Sequence, residues 1–434
     1  MNKYNLLGVG VGPFNLSLAA LLDKVPNHHS LFFEKKDHFE WHSEVMFADS
    51  NMQTNYLKDL VTPVDPTSPY SFLNYLVEQN LFYPFLNTQR SVVSRREFEQ
   101  YFSWAAGQLQ HRLRFGTEVE SVHFKNNSFV VQTSQGVFAS DDICIATGVT
   151  PRIPDCARPF LGPRIFHAKS HYLKSIDLSG KSVLIVGGGQ TGVEVFRNAI
   201  HDHWGRAKSI TLATRRKSLE PLDESAFTNE YFTPNYVERF WHLPPDKKSQ
   251  IVADQKLASD GNTPAYLSQL YNDLYRLKYV EKDPRPIHIL ACRKLEKIQS
   301  GHEVFRLGLF NSFIERNEEI LADIVILCTG FESAIPMALE PLIARIQFDD
   351  ERRFKFNKAY NIEWDGPSQN RIYALNFSRH NHGIIDPQTS LMAWRSAVVV
   401  NDLLRSEIYS TRQKFENFID YGTESEKPQF MELM

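Results

Sequence analysis

The chain has 434 residues, enough for two or three domains with cores of their own. With 42% hydrophobic residues, 23% charged residues and a net charge of −3, it is neither a disordered chain nor a nucleic-acid-binding polyelectrolyte. Its four cysteines, Cys144, Cys156, Cys292 and Cys328, never stand at CxxC spacing, so no zinc site or disulfide framework is signalled and a reducing cytoplasm is expected. Gly8, Gly10, Gly12 and Pro13 break the first apolar run before a signal-peptide core could form, and no later run nears the roughly 18 residues of a membrane span.

In chain order, Tyr4 to Gly8 predicts a strand and Asn15 to Leu22 a helix, the start of a βα unit. Pro63, Pro66 and Pro69 mark a loop-rich stretch, and Asp142 to Thr147 a further strand closing on Gly148. A second βα start follows from Lys181, where Val183 to Val186 runs into Gly187-Gly188-Gly189-Gln190-Thr191-Gly192. From Leu219 to about Leu277 the period is helical but interrupted by Pro221, Pro234, Pro244, Pro245 and Pro264, which predicts a helical insertion forming a substrate wall. Asp323 to Thr329 repeats the strand that closes on glycine, Ser390 to Leu404 predicts one amphipathic helix, and Ser406 to Met434 a loosely held polar tail.

The two glycine turns differ in their chemistry. Gly8-x-Gly10-x-Gly12-Pro13 offers backbone amides to a pyrophosphate, and Glu34 ends the next strand, 22 positions after Gly12, where a carboxylate can accept from a ribose hydroxyl. The fingerprint Gly187-x-Gly189-x-x-Gly192 is complete, and its next strand, Ser209 to Thr214, ends in Arg215 and Arg216 instead of an acid. A basic run is usually a solvated turn, but at this position guanidinium groups would pair with a 2′-phosphate. The first site thus suits FAD and the second NADPH. No redox cysteine pair accompanies them, and Phe166 to Tyr172 lacks the FxGxxxH signature of Baeyer–Villiger and ordinary flavin monooxygenases.

Further motifs narrow the class: GVGPFNLSLA at Gly10 to Ala19, Trp41-His42, MQTNYLKDLVTPVDPTSPYSFLNYL at Met52 to Leu76, and GGGQTG at Gly187 to Gly192. DESAFTNEYFTPNY at Asp223 to Tyr236, CTGF at Cys328 to Phe331 and HGIIDPQTSLMAWR at His382 to Arg395 complete the set. With these the chain resembles the microbial N-hydroxylating monooxygenases of siderophore biosynthesis, which act on ornithine, lysine or aliphatic diamines. The resemblance implies that Gln53 lies beside the reactive flavin carbon, with Trp41 and His42 on the FAD side. It implies that Lys58 meets the far end of the substrate, that Asn229 and Ser390 line the substrate site, and that Arg215 grips NADPH, with Arg216 assisting. Two departures stand out: Ser43-Glu44-Val45 follows Trp41-His42 where the family has a proline and glycine, and Lys256 to Gly261 replaces the Asn-Thr-Asn-Tyr segment of ornithine-specific members.

The expected architecture is α/β, with two Rossmann-like dinucleotide-binding domains and a smaller helical substrate region. Residues 1–170 plus 321–405 would bind FAD, 171–320 NADPH with the insertion at about 219–277, and 406–434 would form the tail. The resemblance implies N-hydroxylation of a terminal amine by O2 through a C4a-hydroperoxyflavin. The balance falls on putrescine or cadaverine, with L-lysine as the alternative: Lys58 favours lysine, while the altered segment makes ornithine unlikely and, with the overall likeness to the lysine/diamine branch, leaves a diamine open. Outside this class stand a flavin monooxygenase acting on sulfur or carbon, and a non-catalytic redox sensor. A homo-oligomer is expected. No metal site is assigned, His380 and His382 being expected to pack near the flavin edge.

Overall fold

A computed structural model describes residues 3–301, 304–414 and 417–422. Lys3–Val9 is the middle of the first sheet, flanked in parallel by Ser30–Phe33 and by the C-terminal half of the long strand Gly136–Ile145. The N-terminal half of that long strand pairs antiparallel with Ser128–Thr133, which pairs with Val119–Lys125. Leu113–Arg114 and Ile372–Ala374 complete seven strands among the described residues. The helix Pro13–Asp23 is apolar on nearly every side and is accordingly buried, packed between this sheet, Arg95–Gln108 and the last helix, Met392–Leu404.

The second sheet is wholly parallel, in the order Ile287–Leu290, Ser209–Ala213, Ser182–Val186, Ile324–Leu327, Ile165–His167. This mixed α/β architecture, with a helix on a glycine turn in each unit, is the expected class. Two strands cross the expected division of the chain. Ile324–Leu327, assigned to the first domain from residue 321, pairs with Ser182–Val186 in the second sheet, and Ile165–His167 joins it at the edge. The reason is that each unit closes with the same short apolar strand before a glycine, so the pattern names the element and not its sheet. An antiparallel meander, Arg293–Ser300, Phe305–Asn311 and Arg316–Ala322, separates Ile287–Leu290 from Ile324–Leu327.

The helical insertion is present, and it forms the crossover between the neighbouring parallel strands Ser209–Ala213 and Ile287–Leu290. Three of its prolines start helices: Pro234, Pro245 and Pro264 open Pro234–Trp241, Pro245–Asp254 and Pro264–Tyr275. A proline there loses no helical hydrogen bond, because the first amides of a helix have no partner.

The described part of the tail is not loose. Tyr409 donates its hydroxyl to the Leu21 carbonyl at 2.7 Å, and the Trp394 indole reaches the Thr411 carbonyl at 2.8 Å. Both Glu230 oxygens accept from the tail, from Phe418 N–H at 3.0 Å and Ile419 N–H at 2.9 Å, while Tyr421 packs edge-on to Tyr236. Polar composition concealed backbone amides that a distant carboxylate could order; the tail beyond residue 422 lies outside the described residues. Among the described residues no helix is long and apolar enough to cross a membrane.

Candidate active site at the seam of two nucleotide units

Both glycine turns lead into an 11-residue helix through an extended glycine, Gly12 (φ −89°) and Gly189 (φ −87°), and neither helix has a side-chain cap. A Cβ on either glycine would meet nothing within 4 Å. Two helix N-termini thus present uncapped amides to open space, which fits a pyrophosphate at each. Gly10 needs its missing side chain: at φ +86° a Cβ would sit 2.6 Å from the Ala146 carbonyl oxygen. Gly8 instead lies within the strand, where a Cβ would strike the Phe32 ring. Pro13 is the first helical residue, so it departs from the usual fingerprint at no structural cost.

Glu34 stands at the end of its strand as expected, and its carboxylate accepts from Val11 N–H at 2.9 Å and Lys36 N–H at 3.1 Å. These bonds aim it beside the turn and leave lone pairs for a ribose diol. Trp41 packs edge-on to Phe102, and His42 adopts a left-handed conformation with its ring 4.7 Å from that of Trp41. Burial, aided by the charges of Arg95, Lys169 and Lys36, pushes the His42 pKa down to about 3, so it is a neutral imidazole at working pH.

In the second unit, Gly192 touches the first turn so closely that a Cβ would overlap the Gly187 carbonyl. Gln190 and Thr191 follow in the first helical turn, half-buried. Arg215 is exposed just past the strand Ser209–Ala213, free to meet a phosphate. Arg216 turns inward: one Nη donates to the Asp260 carbonyl at 2.8 Å, Nε lies 3.6 Å from Glu220, and the other Nη is buried without a partner. With Arg216 spent on acceptors of the protein itself, the two arginines cannot be twins.

The segment 256–263, where the ornithine-type motif is missing, closes the seam. Gln53 donates to the Gly261 carbonyl and to Thr263 Oγ1, each at 3.3 Å. Gln388 donates to the Ser259 carbonyl at 3.2 Å, and Arg379 to Ser259 Oγ at 3.1 Å. From the other side Asn262, fully buried, donates to the carbonyls of Gly188 and Glu220, each at 3.0 Å, with its own Oδ1 unpartnered. An Asn-Thr pair therefore stands at 262–263, just past Gly261; its signal is the Gly-Asn-Thr-Pro run that opens a helix.

Of the expected substrate residues, Lys58 is half-buried with its ammonium 6.0 Å from the Phe232 ring, on the turn Thr228–Phe232 that also carries Asn229. Burial holds its pKa below the usual lysine range. Asp59 cannot balance this charge: it is 1% exposed and spends its carboxylate on Val61, Thr62 and Phe72 amides and the Thr62 hydroxyl, at 2.7–2.9 Å. Asn229 itself is exposed and its amide leans on the Glu224 carbonyl at 3.4 Å. Ser390 is buried with an unpartnered hydroxyl; it sits in a short turn ahead of the helix and does not cap it. His380 and His382 each bond a backbone carbonyl, of Phe354 and Lys358, and His382 stacks on Tyr360 at 3.9 Å. Among the described residues no cluster of three or more metal-ligating side chains occurs.

Residues 2–333 match the family model described as L-lysine 6-monooxygenase/L-ornithine 5-monooxygenase. The chain is 41% identical to an L-lysine N6-monooxygenase of Escherichia coli, over 93% of this chain and 95% of that protein. It is 30% identical to a putrescine N-hydroxylase of Acinetobacter baumannii, over 95% and 92%. Its fold superposes with a TM-score of 0.91 on a cadaverine monooxygenase of desferrioxamine biosynthesis from Erwinia amylovora, solved bound to FAD, at 25% identity over 98% of this chain and all of that one.

Proposed function

Since the chain belongs to the L-lysine 6-monooxygenase/L-ornithine 5-monooxygenase family of flavin-dependent N-monooxygenases, with FAD and NADPH as cofactors, we propose that its substrate is L-lysine. The balance is R–NH2 + O2 + NADPH + H⁺ giving R–NHOH + H2O + NADP⁺. The observation that carries the choice is Lys58: a half-buried ammonium whose neighbouring acid is fully engaged elsewhere calls for a substrate carboxylate. The 41% identity to a lysine enzyme points the same way. This reverses the weighting from sequence, which leaned to a diamine although Lys58 favoured lysine.

In this reading the turn Gly10-x-Gly12-Pro13 and Glu34 hold the FAD pyrophosphate and ribose, Gly8 keeps the strand spacing, and Trp41 and His42 wall the same side. Gly187, Gly189, Gln190, Thr191, Gly192 and Arg215 hold NADPH. Gln53 faces the flavin, while Lys58, Asn229 and Ser390 line the amine pocket. Reduced FAD supplies the electrons that let one atom of O2 pass to the amine. The protein's part is to keep water out and to take the amine in its neutral form, against an unperturbed pKa of about 10.4.

A diamine is the second reading, favoured by the TM-score of 0.91 to a cadaverine enzyme. Hydroxylamine formation from lysine, cadaverine, putrescine and ornithine at equal concentration decides between them. Lysine should be fastest, and Lys58→Ala should raise its KM roughly tenfold or more while leaving cadaverine little changed, as expected for loss of a charge-assisted contact. Faster turnover of a diamine by the parent protein overturns the choice.

A further inference from the structure

Glu194, in the helix Gln190–Ile200, is wholly buried, and its carboxylate receives both Nη groups of Arg95 from the first unit, at 2.7 and 2.9 Å. Nothing in nucleotide binding itself requires this pair. Burial raises the Glu194 pKa, with Arg95 and Gln190 pulling against it, and a two-pronged guanidinium is the partner that keeps such a carboxylate charged. One of its oxygens also accepts from Gln190 Nε2 at 2.8 Å. An ionised carboxylate only accepts, so this bond settles which way the Gln190 amide faces. The carbonyl end, Oε1, then accepts from the backbone N–H of Thr263 at 2.9 Å, and a backbone N–H only donates. Turning the amide over would break both bonds. Thr263 in turn offers Oγ1 to Gln53 Nε2 at 3.3 Å.

We propose that Glu194, held by Arg95, is a positioning residue that orients Gln190 and, through Thr263, carries Gln53, so that the pyridine-nucleotide turn and the flavin-side glutamine move as one. The proposal rests on the reading of Gln190 and Gln53 as cofactor residues given above. A parallel strut keeps the units docked without it: Asp49 accepts from Arg197 at 2.7 Å and from the Tyr266 hydroxyl at 2.9 Å. Glu194 is thus the part of the seam whose bonds end on the Gln190 amide, and from there run through Thr263 to Gln53. Its neutral isostere, glutamine, can donate to Gln190 and release the flip.

The test uses the full chain loaded with FAD. NADP⁺ is titrated in while the visible flavin spectrum is followed, and amide hydrogen exchange is measured at 261–263. In the parent, bound NADP⁺ should shift the flavin spectrum. In Glu194→Gln, NADP⁺ should bind within about threefold of the parent, a difference under 1 kcal/mol. Most of the spectral shift should vanish, exchange at 261–263 should quicken, and more peroxide should escape per NADPH oxidised. Thr263→Val should do the same, Thr263→Ser should not, and Glu194→Gln with Thr263→Val should be no worse than either alone. An unchanged spectral response in Glu194→Gln, additive effects in the double variant, or a parent spectrum indifferent to bound NADP⁺ overturns the relay. Where Glu194→Gln fails to fold, the valine and serine variants decide, and like behaviour of the two overturns it. A parent that hydroxylates no amine overturns the proposed function instead, and the spectral and exchange measurements still report on the relay.

Discussion

The first glycine turn is latched from inside its own unit, whereas the second is held from across the seam. Asn15, one turn into the first helix and fully buried, donates to the Gly10 carbonyl at 2.8 Å and accepts from the Cys144 thiol at 3.2 Å. Glu34 ties down Val11, and the last helix covers the whole. The second helix reaches across the seam instead, from Glu194 to Arg95 and from Arg197 to Asp49, besides holding Thr263 and Asp273 of its own insertion through Gln190 and Arg197. A turn braced by its own sheet suits a ligand that stays. One braced by its neighbours can report its occupancy to them.

The sharpest way to break this comparison is at the glycines. Gly192→Ala drives a Cβ into the Gly187 carbonyl, whereas Gly12→Ala points one into open space. Gly192→Ala should abolish NADPH oxidation and lower the melting temperature, while Gly12→Ala should melt with the parent and lose affinity for FAD alone. Calorimetry and cofactor titration check both.

Acid should separate the units next. His28, His42 and His382 in the first unit are pushed by burial to about 4, 3 and 3, and His167 at the edge of the second sheet to about 4. Their unfolded pKa is about 6.5, so below that the unfolded chain binds protons the folded one refuses. Stability contributed by these neutral rings is full above pH 6.5 and drains away as pH falls towards their folded values. Melting followed between pH 7 and 4 should show the first unit failing first; a pH-independent melting temperature contradicts the burial of these rings.

Smaller effects belong to the cofactor ends. Arg215→Ala should raise KM for NADPH about tenfold to a hundredfold, the worth of a charge-assisted phosphate contact of about 1.5–3 kcal/mol, with NADH little affected. Glu34→Gln should weaken FAD by about fivefold, near 1 kcal/mol, because the amide keeps one acceptor for Val11. Equal effects of Arg215→Ala on both nucleotides would remove the arginine from the 2′-phosphate.

What could be read from the sequence is what local chemistry dictates. Gly10, Gly12 and Gly187 to Gly192 announced their turns because a tight approach of backbone to ligand leaves room for little else. Glu34 and Arg215 followed from their place at strand ends, and the insertion from its period. The opposite orientation of Arg216, the outward amide of Asn229 and the sheet that receives Ile324–Leu327 were not legible, since each is fixed by partners far along the chain. Arg95 and Glu194 lie 99 positions apart, on helices whose local patterns require neither charge. Packing of two units selects such a pair, and one strand of text does not reveal it.

The grip of the tail on Glu230 carries a consequence for synthesis. Phe418 follows Glu230 by 188 positions, so at about 5–20 residues per second it leaves the ribosome some ten seconds or more later. During that interval the strands Ile287–Leu290, Ile324–Leu327 and Ile372–Ala374 and the last helix are made and can complete the two sheets, while the turn bearing Asn229 and Phe232 waits for its clasp. The turn Thr228–Phe232 is thus completed by a part of the chain made long after it, and a chain released early would lack that clasp.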